Sequence, residues 1–241
     1  MSSSPPQSFE INKAMAMKEY RSFIFSIYLG AFLFFCSCNK DCKNIPGGYE
    51  FDLPVTLSPA LDTFSIGDTI RIESVFEDRV YETKTKKRYH LDDWRFYPET
   101  RIMKIDSNPA QDGFDHFEVL IDEDIDYERF FYSSGTSGLI GQYNYSNTDG
   151  IYSLSYKIVA RSKGMFLFYH AHLLYPLDEW QDFSGRCNGI GSDARTTLNG
   201  GEDNNVEYLR RSPDPHYSEW VMARPEERFH EGGGYCFYVV E

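Results

Sequence analysis

The feature that most constrains this chain is a period-two pattern followed by a turn and a second apolar run. Ile151-Tyr152-Ser153-Leu154-Ser155-Tyr156-Lys157-Ile158-Val159 alternates between small or polar and large apolar side chains. Lys163-Gly164 supplies a turn, and Met165-Phe166-Leu167-Phe168-Tyr169-His170-Ala171-His172-Leu173 follows. Alternation at a period of two puts every second side chain on one face, so the pattern specifies a half-buried strand. The second run is apolar on both faces and rich in aromatics, which specifies a central strand. Together they predict an antiparallel hairpin near the middle of a sheet.

The same signal recurs along the chain. Phe51–Leu57, with Pro54 suiting an edge strand, and Thr69–Phe76 alternate in the same way. Val80-Tyr81 and Tyr89-His90-Leu91 flank a charged hairpin tip at Lys84–Lys87. Arg95–Tyr97, Arg101–Ile105, Phe114–Ile121 and Tyr143–Tyr145 are shorter strand candidates, and Tyr235–Val240 is a closing strand that pairs with 165–173 or its neighbour. Aromatics make up 17% of the chain, enough to fill a core of large rings between two sheets. The expectation is a mainly β chain, an antiparallel β-sandwich over residues 51–241, with a late irregular insertion at about 176–233. That insertion is rich in Asn, Asp, Gly, Arg and Ser, and it carries two short helices. One starts near Asn204-Asn205, and the other spans 215–223 behind Pro215.

Residues 23–35 form an apolar stretch preceded by Lys18 and Arg21. It is shorter than the roughly 20 residues a membrane span needs, so it reads as an export signal. Met15 and Met17 offer alternative starts, and a start there makes residues 1–14 an artefactual extension ahead of the signal. The stretch ends in Phe35-Cys36-Ser37-Cys38-Asn39-Lys40. This resembles a bacterial lipoprotein signal, which is cleaved before a cysteine that then carries lipid. The resemblance implies a signal peptide over 1–37, acylation (palmitate) on Cys38, and a tether over 38–50. Removing residues 1–37 leaves 21 basic against 35 acidic residues, a formal charge of −14. Such a surface does not replace phosphate counterions, so no nucleic-acid partner is expected.

Export permits disulfides. Cys42, Cys187 and Cys236 allow three pairings, of which Cys187–Cys236 is favoured because both lie in the folded part. It would pin the insertion to the final strand.

The pattern Tyr152-x-Leu154-x-Tyr156-x-Ile158, a glycine and then an aromatic strand is similar to the end of immunoglobulin-like sandwiches over about 25 residues. The chain as a whole resembles small envelope lipoproteins of the Bacteroidota. The basis is Cys38, the Asn39-Lys40-Asp41 tether and the Gly67-Asp68-Thr69-Ile70 strand opening. This implies a lipid-anchored place at the outer membrane, on its periplasmic or surface face.

Few motifs carry chemistry. His170 and His172 stand at i and i+2 of one strand and share a face, as two ligands of a metal would. A third would come from His216, His230 or a carboxylate; the alternative is hydrogen bonding within the sheet. Asp122-Glu123-Asp124-Ile125-Asp126 offers hard oxygens, but a calcium loop needs Gly and Glu where Tyr127 and Ser133 stand, which favours a solvated acidic loop. Neither the small-residue loop Ser133–Gly141 nor Gly189–Ala194 matches a phosphate-binding loop. Trp180 and Trp220 in the insertion are candidates for stacking against a sugar ring. No cofactor is expected. The expected function is a non-enzymatic binding or assembly module at the envelope, with a glycan or envelope protein as partner. The alternatives are a metal-dependent or other hydrolase with its site in the insertion near His170 and His172, and a surface glycan-binding protein.

Overall fold

The computed structural model describes Cys42 and residues 45–121, 127–174 and 181–241. Cys38, the acidic run Asp122–Asp126 and Trp180 lie outside the described residues. Fifteen strands appear among the described residues: β1 (Tyr49–Ser58), β2 (Thr63–Ser65), β3 (Thr69–Glu77), β4 (Arg79–Glu82), β5 (Lys87–His90), β6 (Tyr97–Lys104), β7 (Gln111–Asp112), β8 (Phe117–Ile121), β9 (Tyr127–Phe131), β10 (Ser137–Gly141), β11 (Asn144–Ser146), β12 (Ile151–Ala160), β13 (Gly164–Leu173), β14 (Ser192–Leu198) and β15 (Tyr235–Val240).

They form two sheets. The first runs β11-β12-β3-β1-β4-β5, with β14 on β1 and β8 on β12; the second runs β2-β15-β13-β6-β10-β9, with β7 on β6. Most pairs are antiparallel; β1–β14 and β15–β2 are parallel. The architecture is a mainly β, two-sheet antiparallel sandwich.

The antiparallel hairpin expected of 151–159 and 165–173 does not form: the two strands fall in different layers. Strand β12 alternates, with Tyr152, Leu154, Tyr156 and Ile158 buried, and belongs to the first sheet. Strand β13 belongs to the second, between β6 and β15. It is apolar on both faces because both are covered. Phe166 and Phe168 face the sandwich interior with Phe117 and Phe237. Met165 and Leu167 face outward into a second core with Ile105, Val206, Leu209, Tyr217, Val221, Phe229 and Cys236. Short helical turns supply much of that outer layer, at Val206–Arg211, His216–Val221 and Glu226–His230. Each is about one to two turns, too short to persist without this packing.

Several expectations are corrected. The 176–233 stretch is not wholly irregular: Ser192–Leu198 forms β14, parallel to β1 from Tyr49 to Val55. Its sequence Ser-Asp-Ala-Arg-Thr-Thr-Leu lacks a hydrophobic alternation, and only Thr196 and Leu198 of it are buried. Pro54 does not mark an edge. It sits inside β1 between Phe51, paired with Glu82, and Thr56, paired with Glu73, so its missing N–H falls where β1 changes partner. Phe114–His116 is a helical turn and only Phe117–Ile121 is strand. The second half of the Ser133–Gly141 loop is β10.

The favoured Cys187–Cys236 bridge is also corrected. Cys42 and Cys187 are the disulfide-bonded cysteines, and Cys236 is a free, fully buried thiol. Cys236 points into the outer core of the second sheet. Cys187 lies against the first sheet, where its backbone N–H donates to the Tyr49 hydroxyl at 3.1 Å.

Candidate functional site

His170 and His172 both point into the sandwich interior, with 0% and 4% of their surface exposed. The even positions of β13 face inward, so the i, i+2 spacing brings the rings together, with centroids 5.1 Å apart. His170 sits opposite Thr100 of β6. Its Nδ1 lies 2.9 Å from the Thr100 hydroxyl and 3.3 Å from that of Tyr156, and those two hydroxyls are bonded to each other. Its Nε2 is buried without a hydrogen-bond partner.

His172 is the centre of a chain of contacts that crosses from sheet to sheet. Its Nε2 lies 2.7 Å from the Tyr143 hydroxyl, and its Nδ1 lies 2.8 Å from the Thr196 hydroxyl. Tyr143 reaches Ser74 at 2.9 Å, and Ser74 donates to the Pro54 carbonyl at 2.6 Å. Thr196 donates to the His170 carbonyl at 2.5 Å. Both ends are carbonyl acceptors. A neutral ring and three hydroxyls hold four protons for these five contacts. An imidazolium would supply the fifth, a gain on the order of 1–3 kcal/mol. Burying that charge without a counter-ion costs several kcal/mol or more. Desolvation wins. Burial drives His172 well below the ordinary histidine range, with His170 adding to it, and burial alone pushes His170 down to about 3. Both rings are neutral at physiological pH.

A metal needs the pair plus a third ligand. Among the described residues, no group of three His, Cys, Asp or Glu is placed to hold one. His216 and His230 lie in the helical layer on the outer face of the second sheet. Both nitrogens of His172 are already engaged. The pair therefore acts as a polar tie between the sheets.

The surface above this tie is a polar cavity of about 380 Å³. Its walls come from the end of β14 (Arg195–Leu198), the loop Gly200–Asn204 and the turn carrying Glu226, His230 and Glu231, with Asp52 from β1. Thr196 belongs to both the cavity wall and the buried chain. The glycine run shapes this junction. Gly233 has a φ of +61°, and a Cβ there would meet the His170 carbonyl at 2.6 Å and the Thr196 side chain at 2.7 Å. Only glycine lets the chain pass this close to β13 and β14. A Cβ at Gly234 would meet the Phe229 ring at 2.5 Å. Within the cavity Arg195 stands 3.4 Å from Asp52. Burial, then the nearby Glu50 carboxylate, raises Glu231 above the usual carboxylate range. The sequence offered no periodic signal for this cavity, because its residues meet only when β14 joins β1.

Trp220 is half exposed. Its indole is stacked on His216, with centroids 4.8 Å apart and planes at 17°, and the Arg228 guanidinium lies 3.8 Å from its centroid. A sugar stacking on this ring has to displace one of them.

No family model matches the chain, and no curated protein does. Among solved structures, AvmM, described as catalysing macrocyclization in alchivemycin A biosynthesis, is similar at 9% identity and a TM-score of 0.30, covering 60% of this chain and 83% of that one. Two fragments of the human F-spondin reeler domain are similar at 8% and 10% identity, with TM-scores of 0.31 and 0.30. They cover 59% and 66% of this chain and 90% and 93% of theirs. These are distant structural similarities to β-sandwich domains and carry nothing about activity.

Proposed function

We propose that this protein is an envelope lipoprotein, anchored through acylated Cys38 at the outer membrane, whose sandwich serves as a non-enzymatic binding or assembly module. The observation that carries this reading is the placement of His170 and His172. The residue type best suited to metal binding or proton transfer is used to tie the two sheets, while the polar cavity of loop and turn residues faces outward. The export signal and the cysteine at its end support the anchor. An immunoglobulin-like strand order is the finer fold assignment that accompanies this proposal.

The test is the intact mass of membrane-extracted protein together with metal analysis. A mass beginning at Cys38 plus acyl chains supports the anchor; a different mature terminus removes it. Stoichiometric metal in the purified protein overturns the binding-module reading in favour of a metal-dependent hydrolase.

The hydrolase alternative rests on Glu231, a carboxylate of raised pKa in a cavity. Hydrolysis of ester, phosphoester or glycoside probes that is abolished by Glu231→Gln would establish it. The glycan-binding alternative rests on the half-exposed Trp220. Binding on a glycan array that is lost in Trp220→Ala would establish that one.

A further inference from the structure

The hairpin tip between β4 and β5 carries the opposite charge to the chain as a whole. Four of the five residues Lys84–Arg88 are basic and all four are exposed, on a chain of formal net charge −13. No acidic residue stands between Thr83 and Arg88. Glu82, at the base of the tip, is fully buried, and its carboxylate is turned onto the N–H groups of Glu50, Lys84 and Thr85. The tip is therefore a local positive field on an acidic molecule.

Strand pairing decides where this tip stands. Strand β4 is antiparallel to β1, with Glu82 opposite Phe51, so the turn after β4 lies beside the start of β1. There the Thr83 N–H donates to the Glu50 carbonyl at 2.9 Å, and the Lys84 ammonium donates to the Gly48 carbonyl at 3.0 Å. Ile45 is buried, so the chain is held to the sandwich from that residue onward. Cys38 precedes Ile45 by seven residues. Seven residues reach at most about 25 Å. A lipid on Cys38 therefore keeps this end of the first sheet near the bilayer, and the basic tip with it. Strand β12 pairs antiparallel with β3, and β3 with β1, so β12 ends at the opposite end of the sheet, next to Lys163. The ten residues of β1 separate the two ends by roughly 30 Å.

We propose that the Lys84–Arg88 tip binds the phosphates of anionic lipid headgroups beside the anchor, as a second attachment that sets which end of the sandwich faces the bilayer. This rests on the reading of Cys38 as the acylated residue. The acyl chains hold the protein at the surface but leave its orientation free; the tip removes that freedom. Each Lys or Arg near an anionic surface changes binding by about fivefold, and the effect fades beyond a Debye length. A short leash is therefore what makes the charges count. The guanidinium of Arg88 adds a fork that matches a phosphate. The acidic remainder of the chain is repelled by the same surface, which favours this end over every other.

The test uses the membrane-extracted protein, reconstituted with vesicles of phosphatidylcholine alone or with about one third phosphatidylglycerol. Lysine acetylation read by mass spectrometry gives the rate at Lys86, with Lys163 at the far end as internal reference. With phosphatidylglycerol the ratio of the Lys86 rate to the Lys163 rate is expected to fall at least about fivefold below its value in detergent. It should recover in about 0.5 M salt, which screens the headgroup charge. The double variant Lys87→Glu, Arg88→Glu should show no fall. An unchanged ratio in protein that floats with both vesicle types overturns the tip and leaves the anchor standing. An equal fall with phosphatidylcholine alone, or a fall that persists in the variant, also overturns the tip, because charge is then not the cause. Protection by inorganic phosphate in detergent assigns the tip to a free anion and overturns the lipid reading. Protein that floats with neither vesicle overturns the anchor, and this proposal with it.

Discussion

The buried histidine pair makes stability depend on pH in a way that can be worked out from the structure. An unfolded histidine titrates near 6.5. Folded His170 is held at about 3 by burial, and His172 is also held well below the ordinary range. Below pH 6.5 the unfolded chain therefore binds protons that the folded chain does not. Stability from these rings is full above pH 6.5 and falls as pH drops toward the folded values. For His170 the integral between pH 7.5 and pH 5 is roughly 2 kcal/mol. His172 adds in the same direction. Domains of this kind are stable by about 5–15 kcal/mol, so the loss is a large fraction of the total. The assay is urea unfolding at a series of pH values, comparing the parent with His170→Gln and His172→Gln. The parent is expected to lose stability steeply between pH 7 and pH 5, and each variant should flatten the curve while costing stability at pH 7.5. If the parent is as stable at pH 5 as at pH 7.5 and the variants keep its profile, the neutral-ring argument is wrong. That outcome would mean that the five-contact chain around His172 stabilises the imidazolium against desolvation.

Other perturbations have equally definite outcomes. Glu82 is fully buried, and its carboxylate accepts the N–H groups of Glu50, Lys84 and Thr85 and the Thr85 hydroxyl at 2.5–3.0 Å. Burial alone would raise its pKa, but these bonds hold it below the usual range. Glu82→Gln turns an amide donor toward donors and should cost roughly 1–3 kcal/mol at neutral pH. The deficit should narrow as pH falls from the ordinary carboxylate range, where the unfolded glutamate takes up its proton, to the lower folded value; a neutral effect in denaturant titration refutes the arrangement. Phe229→Ala should cost about 3–5 kcal/mol, read as a lowered Tm, because Phe229 is fully buried between the helical layer and β13. A loss under about 1 kcal/mol would mean that this layer is not packed. Alkylation of denatured, unreduced protein should label Cys236 in peptide maps and spare Cys42 and Cys187. Native Cys236 should resist the reagent, since burial pushes its thiol pKa up. Reduction should lower stability by about 2–4 kcal/mol.

Much of this protein is set by local pattern. The alternation of Ile151–Val159 and the doubly apolar run of Met165–Leu173 were enough to predict two strands and a central place for the second, but the expected hairpin between them does not form, because each strand pairs within a different sheet. The charged tip at Lys84–Lys87, the closing strand Tyr235–Val240 beside β13, and helical turns after Asn205 and Pro215 follow from the same short-range rules. Those rules work because side-chain periodicity and turn chemistry act over a few residues. What the sequence left open depends on partners distant along the chain. Strand β14 has no hydrophobic alternation, and only its parallel pairing with β1 makes it a strand. The bonding of Cys42 and Cys187 and the burial of Cys236 in the outer core of the second sheet are tertiary outcomes that no local pattern reports. The i, i+2 spacing of His170 and His172 placed them on one face, but only the sheet that closes over that face decides that they are neutral interior ties. The cavity beside them exists only where β14, the Gly200–Asn204 loop and the Glu226–Glu231 turn converge. A sequence pattern fixes a face, and tertiary packing decides what that face meets.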